Sequence, residues 1–283
     1  MLENTPAGDM SDWLHTCVPR VSCLAAAGLF ASLVSAQSQE LIGTDRPTQS
    51  AATLVLAPGT FQIESGYKFS RSDEDNGNVT DVHGLPDALF RIGVLDGVEA
   101  RVTMSGWSFR SVEAMGTESD SRGFNDVSIG AKFAVAEGDG AKPSFSILAD
   151  VGVPVGSDGF SNDYVNPKVL ALMGGSLSDR WGWTINFGPS FVEENEASAV
   201  DLEYAVALGA AVGGRASFFA EFYGAWGVSG ERLDQHSFQT GMVALLSDNV
   251  QIDGRGGVGF VDNVPTWLTG FGISWRPWVG DAP

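Results

Sequence analysis

The residues able to do acid–base chemistry are few. Beyond residue 36 the chain has two histidines, His83 and His236. A hydrolytic triad needs a base placed between a nucleophile and an acid, and Asp234, His236 and Ser237 are the one set of suitable types close together. His236 and Ser237 are adjacent, however, and neighbouring side chains on a strand point to opposite faces, so the two cannot easily share a proton. A lipid-acting enzyme is therefore the weakest reading, and no catalytic residue is assigned. The glycine-rich run Gly254-Arg255-Gly256-Gly257-Val258-Gly259 lies within a strand pattern and opens no helix, so it is no dinucleotide fingerprint. Its glycines read instead as sites of curvature or close backbone approach. Asp73-Glu74-Asp75 and Glu193-Glu194-Asn195-Glu196 lack the ligand spacing of a calcium loop. They read as solvated outer surface, or at most as bridges through divalent cations to anionic lipopolysaccharide. No metal or cofactor is expected, and a net charge of −19 excludes the basic footprint of a nucleic-acid binder.

The remaining chemistry is a set of charges that share one face of alternating runs: Arg91, Glu99, Arg101, Lys132, Asp150, Lys168, Asp201, Glu203, Glu221, Asp253 and Arg255. Their signs are mixed, unlike a one-signed selectivity ring. Half or more are expected to brace a wall as ion pairs, and the others to line a path. Three of them can be placed relative to one another. A hairpin loop Leu95-Asp96-Gly97, with Gly97 left-handed, pairs Val94 with Val98, Gly93 with Glu99 and Arg91 with Arg101. Two arginines directly across a ladder repel, and Glu99 lies on the diagonal from Arg91. An Arg91–Glu99–Arg101 cluster near one end of the wall is the expectation.

The elements that position these charges repeat one unit from Gly59 onward, a run of roughly ten residues with period-two alternation, the length of a tilted strand crossing hydrocarbon. Twelve such runs can be placed. In the first, Phe61, Ile63, Tyr67 and Phe69 oppose Gln62, Glu64, Gly66 and Lys68. In the last, Trp267, Phe271, Ile273 and Trp275 oppose Gly270, Gly272, Ser274 and Arg276. The run 167–177 fits least well, because Leu170 and Leu172 fall on its polar side. Connections alternate: short near 95–97, 136–142, 178–180, 213–215 and 247–249, long near 71–82, 108–122, 155–165, 192–199, 228–236 and 261–266. That alternation, with an even strand number, is the signature of an all-β, transmembrane, antiparallel up-and-down β-barrel. Phe61, Trp181 and Trp275 would form the inner aromatic girdle, and Phe69, Phe191, Trp226 and Trp267 the outer one. A soluble sandwich shares the regular strands but has no use for small and polar residues opposite every apolar face.

The first 36 residues read as a cleavable signal peptide, with Arg20 in the basic region, an apolar stretch from Val21 to Val34 and a cleavage site ending at Ala36. Met10 would open a more ordinary leader than Met1. Cys17 and Cys23 fall inside it, so the mature chain would contain no cysteine and no disulfide. The division expected is 1–36 signal peptide, 37–58 periplasmic or lumenal segment, 59–277 barrel and 278–283 tail.

Five segments resemble a known family: GTDRPTQSAATLVLAPGTFQIESGYKF (Gly43 to Phe69), LFRIGVLDGVEARV (Leu89 to Val102), GFNDVSIGAKF (Gly123 to Phe133), SDNVQIDGRGGVGF (Ser247 to Phe260) and GFGISWRP (Gly270 to Pro277). It is the outer-membrane "transporter" family described as meta-pathway phenol-degradation proteins. The resemblance spans nearly all of the mature chain and carries no catalytic residues. It implies a Gram-negative outer-membrane channel for passive diffusion of small solutes, aromatic or hydrophobic ones among them. The alternative is a structural or surface-exposed barrel without transport. Expected partners are outer-membrane lipids and lipopolysaccharide, the solute and the barrel-assembly machinery. The tail Trp278 to Pro283 departs from barrels that end on an aromatic residue.

Overall fold

The computed structural model describes residues 41–139, 142–194, 197–230 and 232–280. The leader, its cleavage site near Ala36 and residues 37–40 lie outside them. Period-two alternation produces strands throughout: β1 (Phe61–Asp73), β2 (Val79–Leu95), β3 (Val98–Met104), β4 (Trp107–Ala114), β5 (Thr117–Phe124), β6 (Val127–Ala136), β7 (Ser144–Val153), β8 (Asn166–Ser176), β9 (Trp181–Glu194), β10 (Ala197–Ala211), β11 (Ala216–Gly227), β12 (Gln235–Ser247), β13 (Val250–Gly259) and β14 (Trp267–Trp278).

Every pairing is antiparallel, and β1 pairs with both β2 and β14, so the sheet closes on itself. The inner part of β2 pairs with β3 and its outer part with β4. β3 and β4 are separated only by Ser105-Gly106, and β5 and β6 only by Asn125-Asp126, so these four make two staves and the wall has twelve. Gly106 takes φ 56° at that break, and the Asn125 side-chain amide donates to its carbonyl at 2.8 Å. Closure removes sheet edges along the membrane, where an unpaired backbone group would have no water to bond. Among the described residues no helix is long and apolar enough to cross a membrane.

The faces separate as the alternation requires. Ile92, Val102, Ile129, Phe133, Ile147, Val206, Phe222, Met242, Ile252 and Ile273 are exposed on the outside. Trp181 and Trp275 at the inner ends, and Phe191, Trp226 and Trp267 at the outer ends, are exposed with them. A water-soluble domain would bury these side chains, whereas on a barrel they face lipid.

Three connections expected to be long loops are strand. Segments 71–73 and 79–82 continue β1 and β2 as a ribbon tied by the cross-strand pair Arg71–Asp81 at 2.8 Å. Segment 108–122 is the β4–β5 hairpin, closed by Met115 and Gly116 with φ 51° and 74°, the two positive values a tight mirror-image turn demands. Segment 192–199 belongs largely to β9 and β10. These ribbons carry charge on both faces, so the apolar alternation that marks a membrane strand is missing although the ladder persists. β14 runs one residue past the expected boundary and ends on Trp278, whose ring packs against Phe61 at 5.8 Å.

Candidate functional site

Residues 41–58 form no strand and run inside the ring of strands. The chain enters beside β13 and β14, where Ile42 N donates to Asp248 O at 2.7 Å. It leaves at Gly59, which donates to Gly93 O at 2.9 Å and leads into β1. Between these points the coil touches the wall almost once around. A segment without secondary structure must satisfy its backbone groups elsewhere, and here inward-facing side chains do so. Glu64 of β1 accepts from Asp45 N at 3.0 Å and Arg46 N at 2.8 Å. Arg255 of β13 donates to Pro47 O at 2.8 Å. Glu221 of β11 accepts from Gln49 N and Ser50 N, both at 2.8 Å. Asn186 of β9 accepts from Ala51 N at 2.6 Å and donates to Ala51 O at 3.0 Å. On β7, Ser146 donates to Thr53 O at 2.6 Å, and the Ser144 hydroxyl lies 2.6 Å from that of Thr53. Lys132 of β6 donates to Ala52 O and Leu54 O, and Glu99 of β3 accepts from Leu56 N at 3.0 Å.

Leu170 and Leu172 find their explanation here. Both point inward and are buried with Leu148 against Ala51 of the coil. Gly93 serves the same contact by absence: a Cβ there would stand 2.0 Å from Ala57 O.

The densest part is a six-charge network at the inner end. Arg91 donates to both Glu99 oxygens at 2.8 Å and to Glu64 at 3.0 Å. Arg101 donates to Asp45 at 2.6 Å and Glu99 at 3.1 Å, and Lys132 to Asp45 at 3.2 Å. Three cations face three carboxylates, and Arg91, Glu64, Glu99 and Lys132 are wholly buried. Burial by itself would raise the Asp45 carboxyl, but the charges of Lys132, Arg91 and Arg101 outweigh it and hold the group well below the usual carboxylate range. The ladder puts Gly93 opposite Glu99 and Arg91 opposite Arg101. The expected Val94–Val98 pair is replaced by Leu95–Val98, with a bulge between Gly93 and Leu95. Gly97 is left-handed at φ 69°, so a two-residue turn plus one extra residue in β2 does the work of the three-residue loop.

The other expected charges lie further out. Arg46, projecting from the coil, bridges Asp87 at 3.2 Å and Asp253 at 3.3 Å, and Lys68 and Arg255 also approach Asp87. Lys168 pairs with Glu203 at 3.4 Å, each side chain 32% exposed, and Asp201 pairs with Arg232 at 2.6 Å. The Asp150 Oδ1 atom has no partner among the described residues. A gradient runs along each inward face: Ser144, Ser146 and Leu148 are buried while Asp150 and Gly152 are half-buried, and Leu170 and Leu172 are buried while Asn166 and Lys168 are half-buried. The inner half is packed around the coil and the outer half is open to water. Sequence reasoning missed Asp45, Arg46 and Glu64 as members of the site. Asp45 and Arg46 lie ahead of the first strand, where no alternation assigns a face. Glu64 was legible as inward-facing but had no visible partner.

His236 and Ser237 part company as strand geometry requires. The Tyr204 hydroxyl lies 2.7 Å from His236 Nδ1 among outer-end aromatics, and Ser237 is buried on the inward face. His83 makes the same contact with Tyr67 at 2.6 Å. Among the described residues no group of three His, Cys, Asp or Glu side chains is placed to hold a metal.

A closed antiparallel wall with a lipid-facing apolar belt and a hydrated polar interior is an outer-membrane β-barrel. The translocator domain of the autotransporter NalP from Neisseria meningitidis is similar, with TM-score 0.51 and 11% identity over 78% of this chain and 90% of that one. The transport unit of the autotransporter AIDA-I from Escherichia coli has TM-score 0.51 and 8% identity over 86% and 95%. The KdgM porin has TM-score 0.49 and 11% identity over 76% and 98%. No curated protein matches the sequence. Residues 44–276 match the family described as "Putative MetA-pathway of phenol degradation", and the chain belongs to that family.

Proposed function

We propose that this barrel is a passive channel for small organic solutes in the outer membrane of a Gram-negative bacterium, and not an enzyme. The observation that carries this reading is the outer half of the interior. There Lys68, Asp150, Lys168 and Glu203 are partly exposed on an otherwise polar face, while the outside of the same strands is apolar. A cavity lined by mixed charge admits polar and neutral molecules without committing to one sign. The family's description, phenol degradation, points to small aromatic compounds as the solute class. Lysine and carboxylate side chains in that cavity would act as transient partners for a solute hydroxyl or carboxylate. Lipids and lipopolysaccharide would cover the outer belt, and the assembly machinery would insert the chain.

The packed coil at the inner end favours a second reading, a barrel without transport. Purified protein in a planar bilayer decides between them. Discrete conductance steps, with swelling of proteoliposomes in phenol or benzoate, support the channel. A silent bilayer and no swelling refute it.

A further inference from the structure

We infer that residues 41–58 are a gate, a coil that leaves the inner half of the lumen to let solute through and reseats to close it. The inference rests on the channel reading and adds how such a channel is closed.

The coil and the wall are held by different kinds of bond. Each wall strand is fixed by ladders that, once broken in lipid, would leave backbone groups with no partner. The coil lies in a polar interior next to hydrated space, where water can replace the groups it loses. The ends of the coil bond to the wall backbone, at Ile42–Asp248 and at Gly59 and Thr60 with Gly93. Between them, wall side chains such as Glu64, Glu221 and Asn186 hold the coil backbone, and Asp45 pairs with Arg101 and Lys132. Its buried apolar side chains are Ile42, Pro47, Ala51 and Leu56. The hydrophobic term that normally makes a packed segment permanent is therefore small. Release also returns the backbone freedom of the coil, which opposes the polar contacts. The end at Gly59 is continuous with β1, so a released coil stays tethered to the rim it closes.

Arg46 is the part of the gate that reaches the open half. Its guanidinium lies in a slot where Gly66 and Gly272 leave room, and a Cβ at either would meet it at 2.3 and 2.5 Å. It fills that slot between Asp87 and Asp253. The coil thus closes the lumen from below and is latched from above.

The test uses the two hydroxyls already in contact. Thr53→Cys with Ser144→Cys places sulfurs where oxygens lie 2.6 Å apart, close to the roughly 2.05 Å of a disulfide. Bilayer current and solute uptake are measured for the oxidised and reduced double variant, with bond formation followed by thiol alkylation. Glu221→Gln, which weakens the grip on Gln49 and Ser50, is measured alongside. The expected result is a current at least tenfold lower when oxidised, restored by reductant, and a higher open fraction in E221Q than in wild type. An oxidised variant that conducts like the reduced one overturns the gate and leaves the channel standing. Failure of the two cysteines to join also overturns it, since the coil is then not seated against β7. If wild type, reduced variant and E221Q are all silent, the channel reading falls and the gate falls with it.

Discussion

Glu99→Gln is the most informative single change, because the shape of the side chain is kept while its charge is lost. Glu99 accepts from Arg91 Nε and Nη2 at 2.8 Å, from Arg101 Nη1 at 3.1 Å and from Leu56 N at 3.0 Å. The network of Arg91, Arg101, Lys132, Asp45, Glu64 and Glu99 is balanced in charge, so the variant leaves one buried cation uncompensated. One amide oxygen can replace some of the lost acceptors, but the amide NH2 then faces a guanidinium. Removing one partner of a buried pair costs about 3–5 kcal/mol. On the scale of a folded domain of this size, about 2–4 °C per kcal/mol, that lowers the melting temperature by about 6–20 °C. The assay is thermal unfolding in detergent, followed by circular dichroism and by the loss of the compact band on unboiled gels. Glu99 is wholly buried, so the reversal potential in a salt gradient should stay at its wild-type value. A melting temperature within 2 °C of wild type would refute the network. A shift of selectivity toward anions would show instead that Glu99 faces the permeating ion.

Three further outcomes follow. The protein extracted in detergent should migrate faster unboiled than boiled, because a closed ladder has no edge from which to unzip, and helix-dominated circular dichroism would contradict the fold. The outer connections carry Asp73-Glu74-Asp75, Glu113, Glu118 and Asp120 against few arginines. Currents at low salt, where screening is weakest, should therefore favour cations over anions, and anion-selective reversal potentials would count against this. Asp45 is held below the usual carboxylate range, so its stabilising effect is complete above that range and is lost only as pH falls through its lower value in the fold. The melting-temperature gap between wild type and Asp45→Asn should accordingly be the same at pH 7.5 and pH 5, and a gap that closes across that interval would contradict the assignment.

The wall was legible in the sequence because a barrel strand has two solvents, and each leaves its mark on alternate residues. Phe133 and Lys132 are neighbours with opposite fates, one exposed to lipid and the other buried, and period two alone separates them. Near the β2–β3 turn Gly97 made the Gly93–Glu99 and Arg91–Arg101 pairings legible, but not the bulge that puts Leu95 in place of Val94 opposite Val98. The ribbons at 71–82 and 108–122 were not, because above the membrane both faces meet water and the alternation fades. The coil was the least legible. Gly43 to Pro58 has no period, and its partners Glu64, Glu221 and Asn186 are spread over the chain. Leu170 and Leu172 carried the one local signal, two apolar residues on a polar face, and that signal becomes interpretable only once Ala51 is seen against them.

The position of the coil also dictates an order of assembly. Arg255 and Pro47 are separated by 208 residues, and Gln251 and Thr44 by 207, so the first folded stretch of the chain waits for nearly the last. The seam between β1 and β14 is completed at the same late stage. Contacts of such sequence separation form slowly, since loop closure precedes any reward. The coil therefore cannot complete its contacts until β13 has taken its place in the wall. Translation order and construction order run opposite ways here: a segment made before every strand of the wall completes its contacts only with nearly the last of them.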